Sequence, residues 1–257
     1  MLESILLGIL QGLTEFLPVS SSGHLVLVQS LLTGFNGPAA AFDVLLHGGT
    51  LVAVLVYFRK ELAVMAREAL RPRQGGLRMP LLILAGSLPA GIVGVFFSDL
   101  IEPLFSSPGT AAAGLVATGL ILVSGRRLGM AARRPLSGLT LPGALLIGLF
   151  QAFAIVPGVS RSGVTITAGI LAGLSGTDAA RFSFILSLPA VAGALLLESG
   201  ALAGSGMESA YLAGAFAAAL TGWAAIAMLM KILGRGNLLP FGVYCLAVGS
   251  LSLLFLV

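Results

Sequence analysis

The chain has 257 residues, of which 57% are hydrophobic and only 9% charged, with a formal net charge of +4. A soluble domain carries roughly 25% charged residues, so this composition, with a mean hydropathy of +1.06, excludes a soluble globular domain and points to an integral membrane protein. The single cysteine, Cys245, excludes an internal disulfide, and the basic residues gather in loops between apolar runs, which argues against a nucleic-acid partner.

Residues 2–33 form the first apolar segment. It carries Glu3 where a secretory signal would be basic, and no small-residue cleavage site follows Leu10. Pro18 and a polar cluster interrupt it, leaving two halves too short to cross the hydrocarbon core. Two short helices joined at a polar tip predict a re-entrant hairpin, which is tolerated at membrane depth only inside protein or beside a water-filled cavity. Spans of about 20 residues follow at 38–58, 79–98 and 109–125. A second interrupted segment, 140–174, breaks at Pro157-Gly158 and predicts a second hairpin. Spans at 182–197, 209–230 and 238–257 complete the chain.

Loop charge predicts the orientation. Arg59, Lys60, Arg67, Arg71, Arg73 and Arg78 share one loop, Arg126, Arg127, Arg133 and Arg134 a second, and Lys231 and Arg235 a third. These loops are expected to be cytoplasmic. The loops around Asp99 and Glu102, and around Glu198 and Glu208, hold acids and no bases and are expected outside. Of the fourteen basic residues, only Arg161 and Arg181 fall elsewhere. Arg181, beside Asp178, reads as an interface anchor, and Arg161 lies at the second tip.

The two hairpins align at a constant offset of 140: Gly8, Gln11, Val19, Ser20, Ser22 and Gly23 match Gly148, Gln151, Val159, Ser160, Ser162 and Gly163. The charge pattern gives the halves opposite orientation. The predicted fold class is therefore an all-α integral membrane protein built as an inverted-topology repeat. Each half is one re-entrant helical hairpin plus three transmembrane helices, in a single domain over 1–257, with repeat one about 1–130 and repeat two about 138–257. In transporters of this build, the broken segments meet near the midplane and form the site.

The tips carry the candidate chemistry. Gln11 and Glu15 are one helical turn apart. Pro18 stops that helix, the serines then stand at the start of the next, where Ser is a favoured cap, and Ser21 and His24 are spaced as neighbours on it. Ser160 caps the corresponding helix of the second hairpin, with Arg161 in its first turn. If the tips meet, two helix N-termini face one point and make an anion site, and the guanidinium fork suits phosphate. Glu15 would repel phosphate unless it holds a divalent cation that bridges to the phosphate oxygens, or orients His24. Ser20, Ser22, Ser160 and Ser162 are individually as well explained by helix packing as by ligand binding. His47 lacks polar company in the sequence and reads as structural. Charge within a span favours function for Glu15 and Arg161, and less so for Asp43. The Gly8–Gly12 and Gly169–Gly173 pairs are explained by close helix packing.

"QGLTEFLPVSSSGH" and "PGVSRSGVT" resemble the two signature motifs of the undecaprenyl-diphosphate phosphatase family, the bacitracin-resistance type. The resemblance covers essentially the whole chain. It implies a multi-pass enzyme of the bacterial inner membrane that hydrolyses undecaprenyl diphosphate to undecaprenyl phosphate and phosphate. That step recycles the lipid carrier of peptidoglycan synthesis. It implies dependence on a divalent cation, Mg²⁺ or Ca²⁺, held by Glu15 and by Gln11, which stands where some members have Glu. It implies essential roles for Glu15, Ser21, His24 and Arg161. The phosphate-binding candidates are Ser20, Ser22, Gly23, Ser160, Ser162, Gly163 and Thr165. The nucleophile is either Ser21, with His24 as base, or water activated by His24. The expected partners are the prenyl diphosphate, membrane lipid and, as a further candidate, a second copy of the chain, with the site open to the extracytoplasmic side. A polyprenyl-phosphate transporter or flippase is the alternative reading. A non-catalytic scaffold leaves the Glu, His and Arg at the tips unexplained.

Overall fold

The structure is a computed structural model and describes residues 1–31, 39–71, 75–128, 134–197, 209–234 and 237–256. Arg73, Arg133, Glu198, Glu208 and Arg235 of the charge argument lie outside the described residues. The described chain is helical. In order it runs α1 (Leu2–Phe16), α2 (Ser21–Leu31), α3 (Ala39–Tyr57), α4 (Arg59–Ala69), α5 (Arg78–Phe96), a short α6 (Ser98–Ile101) and α7 (Pro108–Leu128), followed by α8 (Leu141–Phe153), α9 (Arg161–Leu171), α10 (Gly176–Leu197), α11 (Ser209–Leu233) and α12 (Leu239–Phe255).

Both expected hairpins are present as the pairs α1–α2 and α8–α9. Among the described residues, four helices are long and apolar enough to cross a membrane: Arg78–Phe96, Pro108–Gly125, Gly176–Leu196 and Ser209–Leu233. A fifth candidate is α3 together with α4, bent by 73°. The expected last span is α12, whose 17 residues reach about 25 Å at 1.5 Å per residue. Helix α4 is a departure from the expected loop: no side chain on it is buried, and it places Arg59, Lys60 and Arg67 outside the bundle. Leu81, Leu84, Leu88, Ile92 and Val95 on α5, and Leu212, Phe216, Leu220 and Trp223 on α11, are exposed. In water this would be a large liability; against lipid it is the expected outer face.

Glycine sets how the hairpins dock. Gly8 of α1 rests on the backbone of Gly214 in α11, and Gly12 on Ala218 and Gly222, so these helices run parallel. Gly148 of α8 rests on the backbone of Gly86 in α5, whose own approach is to Ala144; with Arg78 at the start of α5 bonded to Leu139 just before α8, these two helices are parallel as well. A methyl group at position 8 or 148 would overlap backbone. Small residues of this kind let membrane helices approach closely where no hydrophobic effect drives them together. Helices α7 and α12 pack antiparallel, with Gly119 against Gly242 and Gly249 against Ala112. At the end of the bundle where α5 and α8 begin, Arg78 donates from Nη1 to the Ser137 carbonyl (2.5 Å) and from Nη2 to that of Leu139 (2.6 Å). The 59–78 loop and the start of α8 therefore lie on one side. The main core gathers Phe16, Phe58, Phe182, Phe184, Ile147, Ile166 and Leu186 beneath the two tips.

Candidate active site

The two tips are built alike. Ser20 Oγ accepts from the Gly23 amide at 3.3 Å, and Ser160 Oγ from the Gly163 amide at 3.1 Å. Each capping hydroxyl is also 3.3 Å from the serine two residues on, Ser22 or Ser162. A side-chain oxygen on an otherwise unpaired first-turn N–H is what lets these helices start inside protein. The chain reaches the caps differently in the two halves: Ser20 itself takes φ +68°, whereas in the second half Gly158 takes φ +87°.

The tips meet, and they do so reciprocally. Ser22 Oγ accepts from the Gly158 amide at 3.4 Å, while Ser162 Oγ donates to the Leu17 carbonyl at 3.1 Å. Gly23 lies against Gly158, and Gly163 against Pro18. Thr118 of α7 braces the second tip, donating to the Gly158 carbonyl at 3.0 Å and accepting from the Ser160 amide at 2.8 Å.

At the junction sits Glu15, only 8% exposed. Its Oε1 accepts from Arg161 Nη2 in a short, charge-assisted bond. Its Oε2 accepts from Ser21 Oγ at 2.5 Å and from Gln11 Nε2 at 3.1 Å. Four expected residues, Gln11, Glu15, Ser21 and Arg161, are thus one cluster. Two of its atoms are buried without a partner, Arg161 Nη1 and Gln11 Oε1. A buried unpaired polar atom is costly, and here one donor and one acceptor are left over in the cluster that holds the Ser21 hydroxyl.

His24 departs from expectation. It does not face the Ser21 hydroxyl. Its Nδ1 is 2.7 Å from the Ser20 carbonyl, which can only accept, so Nδ1 carries the proton. Its Nε2 is then an acceptor, 2.8 Å from the hydroxyl of Tyr244 on α12, with the two rings stacked at 5.6 Å. Ser21, turned toward Glu15, has exchanged the expected imidazole for a carboxylate.

The other phosphate-binding candidates serve the tips. Ser20, Ser160 and Ser162 are buried and bonded as above. Thr165 is fully buried on α9, donating to the Arg161 carbonyl at 2.7 Å and standing 2.6 Å from Ser183 Oγ. It sits behind Arg161 rather than beside it. Ser22 alone among these hydroxyls is only half-buried. Two residues that the sequence did not assign to the site join it. Tyr244 holds His24, and His47, read as structural, brings its Nε2 to 3.9 Å from Glu15 Oε2.

Among the described residues no three His, Cys, Asp or Glu side chains gather as a metal site. A carboxylate and an unpaired amide oxygen nevertheless fit a hard cation that takes the rest of its shell from substrate phosphate and water.

Fold and site together define a multi-pass membrane protein whose two hairpin tips close over a buried carboxylate and hydroxyl and a part-buried guanidinium. The family model described as bacitracin resistance protein BacA matches residues 4–251, and the chain belongs to that family. It is 43% identical to the undecaprenyl-diphosphatase of Geobacter metallireducens over 99% of this chain and 98% of the relative. It is 44% identical to that of Trichlorobacter lovleyi, over 97% and 94%. The undecaprenyl-diphosphatase of Thermomicrobium roseum is 43% identical over 98% and 96%.

Proposed function

We propose that the protein is an undecaprenyl-diphosphate phosphatase, a membrane-embedded enzyme that releases phosphate from a prenyl diphosphate lipid and leaves the monophosphate carrier. The observation that carries this is one carboxylate shared by a nucleophile and a phosphate-binding cation. Ser21 Oγ stands on one oxygen of Glu15 and Arg161 on the other. The names of the relatives support the substrate.

Catalysis of phosphoryl transfer is mainly positioning and charge stabilisation. Arg161 is fixed by Glu15 through Nη2, which leaves Nη1 to meet a phosphate oxygen. The N-termini of α2 and α9, brought together by their caps, add positive dipole ends. Ser21 directs its proton at Glu15 Oε2 and its lone pair away from it, toward the terminal phosphorus. Attack forms a phosphoserine and releases the prenyl monophosphate; water then cleaves the ester. His24, held by Ser20 and Tyr244, fixes the first turn of α2 behind Ser21. Glu15 and Gln11 Oε1 would hold the divalent cation, Mg²⁺ or Ca²⁺. It would neutralise charge on the diphosphate.

The inverted repeat belongs to the same reading. Its support is the exchange of partners, α1 with α11 and α8 with α5, and the reciprocal contacts at the tips. Orientation follows from the basic loops, with Arg78 joining two of them on the cytoplasmic side of the inner membrane. His47, midway along α3 yet 34% exposed, supports a site that opens to one side, and we read that side as extracytoplasmic from the basic loops. A homodimer is compatible with the exposed apolar faces.

The test is phosphate release from a polyprenyl diphosphate by purified protein, with a search for phosphate on Ser21. Turnover undiminished in Ser21→Ala would leave water as the nucleophile.

A further inference from the structure

The geometry points to His47 as a ligand of the divalent cation, completing with Glu15 and Gln11 a mixed nitrogen and oxygen site. This rests on the phosphatase reading and adds a residue and a metal preference to it.

Three features of His47 carry the inference. Its Nδ1 lies 2.8 Å from the backbone carbonyl of Asp43, one turn earlier on α3. A carbonyl only accepts, so Nδ1 is the donor of this bond and Nε2 is the ring nitrogen turned toward the site. Metal-binding imidazoles are almost always fixed in this way, by donating the other ring N–H to a carbonyl or carboxylate. Next, Nε2 faces a carboxylate: it is 3.9 Å from Glu15 Oε2. A cation with bonds of about 2.1 Å bridges donors up to about 4.2 Å apart. Finally, a further acceptor is unused, because Gln11 Oε1 is buried without a partner while its own Nε2 is tied to the same Glu15 oxygen. His47 is also the exposed member of the set, at 34% against 7% for the Glu15 side chain, so it offers the entry path that a buried site needs. His24 cannot serve, because Tyr244 and Ser20 occupy both its nitrogens.

A nitrogen ligand changes selectivity. Carboxylate, amide and water suit Mg²⁺, Ca²⁺ and Mn²⁺; an imidazole adds affinity for the later first-row metals such as Fe²⁺ and Ni²⁺, and Mn²⁺ is the paramagnetic probe that a mixed site of this kind accepts. The experiment is titration of Mn²⁺ into the purified full-length protein in detergent, read by electron paramagnetic resonance, with phosphate release from a prenyl diphosphate measured in parallel. Bound Mn²⁺ is expected to show coupling to an imidazole nitrogen. His47→Ala and His47→Gln should both lose that coupling, and His47→Ala should weaken Mn²⁺ at least about tenfold. Mn²⁺ bound by wild-type protein without nitrogen coupling would overturn the inference, and so would unchanged Mn²⁺ affinity in His47→Ala or no Mn²⁺ binding at all. The wild-type measurement does not depend on any variant folding. If wild-type protein releases phosphate while the Mn²⁺ result is negative, only the ligand role of His47 fails. If it releases none, the phosphatase reading fails.

Discussion

Arg161 at the second tip is ion-paired with Glu15 at the first, across 146 residues of chain, and this pair is the one charged link between the two hairpins among the described residues. It holds the guanidinium through Nη2 and leaves Nη1 buried without a partner. Arg161→Lys keeps the charge and loses the fork. We expect activity to fall by ~100-fold, the scale of losing one oriented donor, with membrane insertion intact. Near-normal turnover in the purified variant would reduce Arg161 to a general electrostatic contributor.

Breaking the pair from the other side has a separable cost in stability. Glu15→Gln leaves the part-buried Arg161 charge unpaired, a loss of up to about 3 kcal/mol, the lower end for a fully buried pair. The double variant Glu15→Gln with Arg161→Met removes both charges and should recover most of the thermal stability lost by Glu15→Gln, while remaining inactive. Thermal unfolding of the variants in detergent checks this. A double variant no more stable than Glu15→Gln would mean that the pair is not a closed electrostatic unit.

Tyr244 is the expected support of His24. Tyr244→Phe keeps the ring stack and removes one hydrogen bond, worth about 1 kcal/mol, so a loss in activity of roughly fivefold is expected. If His24 instead worked independently of α12, Tyr244→Phe would match wild type while His24→Ala would not.

Much of this was legible in the chain. The offset of 140 that aligned Ser20, Ser22 and Gly23 with Ser160, Ser162 and Gly163 reappears as paired caps and reciprocal tip contacts, because capping is local chemistry that a short motif specifies. Glu15 and Gln11 were placed by helical spacing alone. His47 was not, since its approach to Glu15 depends on how α3 docks against α1, and no local pattern encodes that. The Ser21–His24 pairing failed for a related reason. Spacing on a helix says which residues are neighbours, but the Ser20 carbonyl and Tyr244, a residue 220 positions away, captured the imidazole. Helix α4 was missed because a loop rich in Arg and Lys was read for its charge and not for its periodicity.

Topology has its own check. With Cys245, which is buried, replaced, single cysteines at Arg71 and at Asp99 should label from opposite sides of the membrane, Arg71 from the cytoplasm. Labelling of both from one side would contradict the orientation drawn from the basic loops.

The central claim is that Glu15 organises hydrolysis of a prenyl diphosphate rather than its movement. It is tested most directly by phosphate release from polyprenyl diphosphate by purified wild-type and Glu15→Gln protein, each with and without chelator. The account expects release by wild type, its loss in chelator with recovery on adding Mg²⁺ or Ca²⁺, and a drop of about 1,000-fold or more in Glu15→Gln. Wild-type protein that carries prenyl phosphate across liposomes and leaves the diphosphate intact would contradict it.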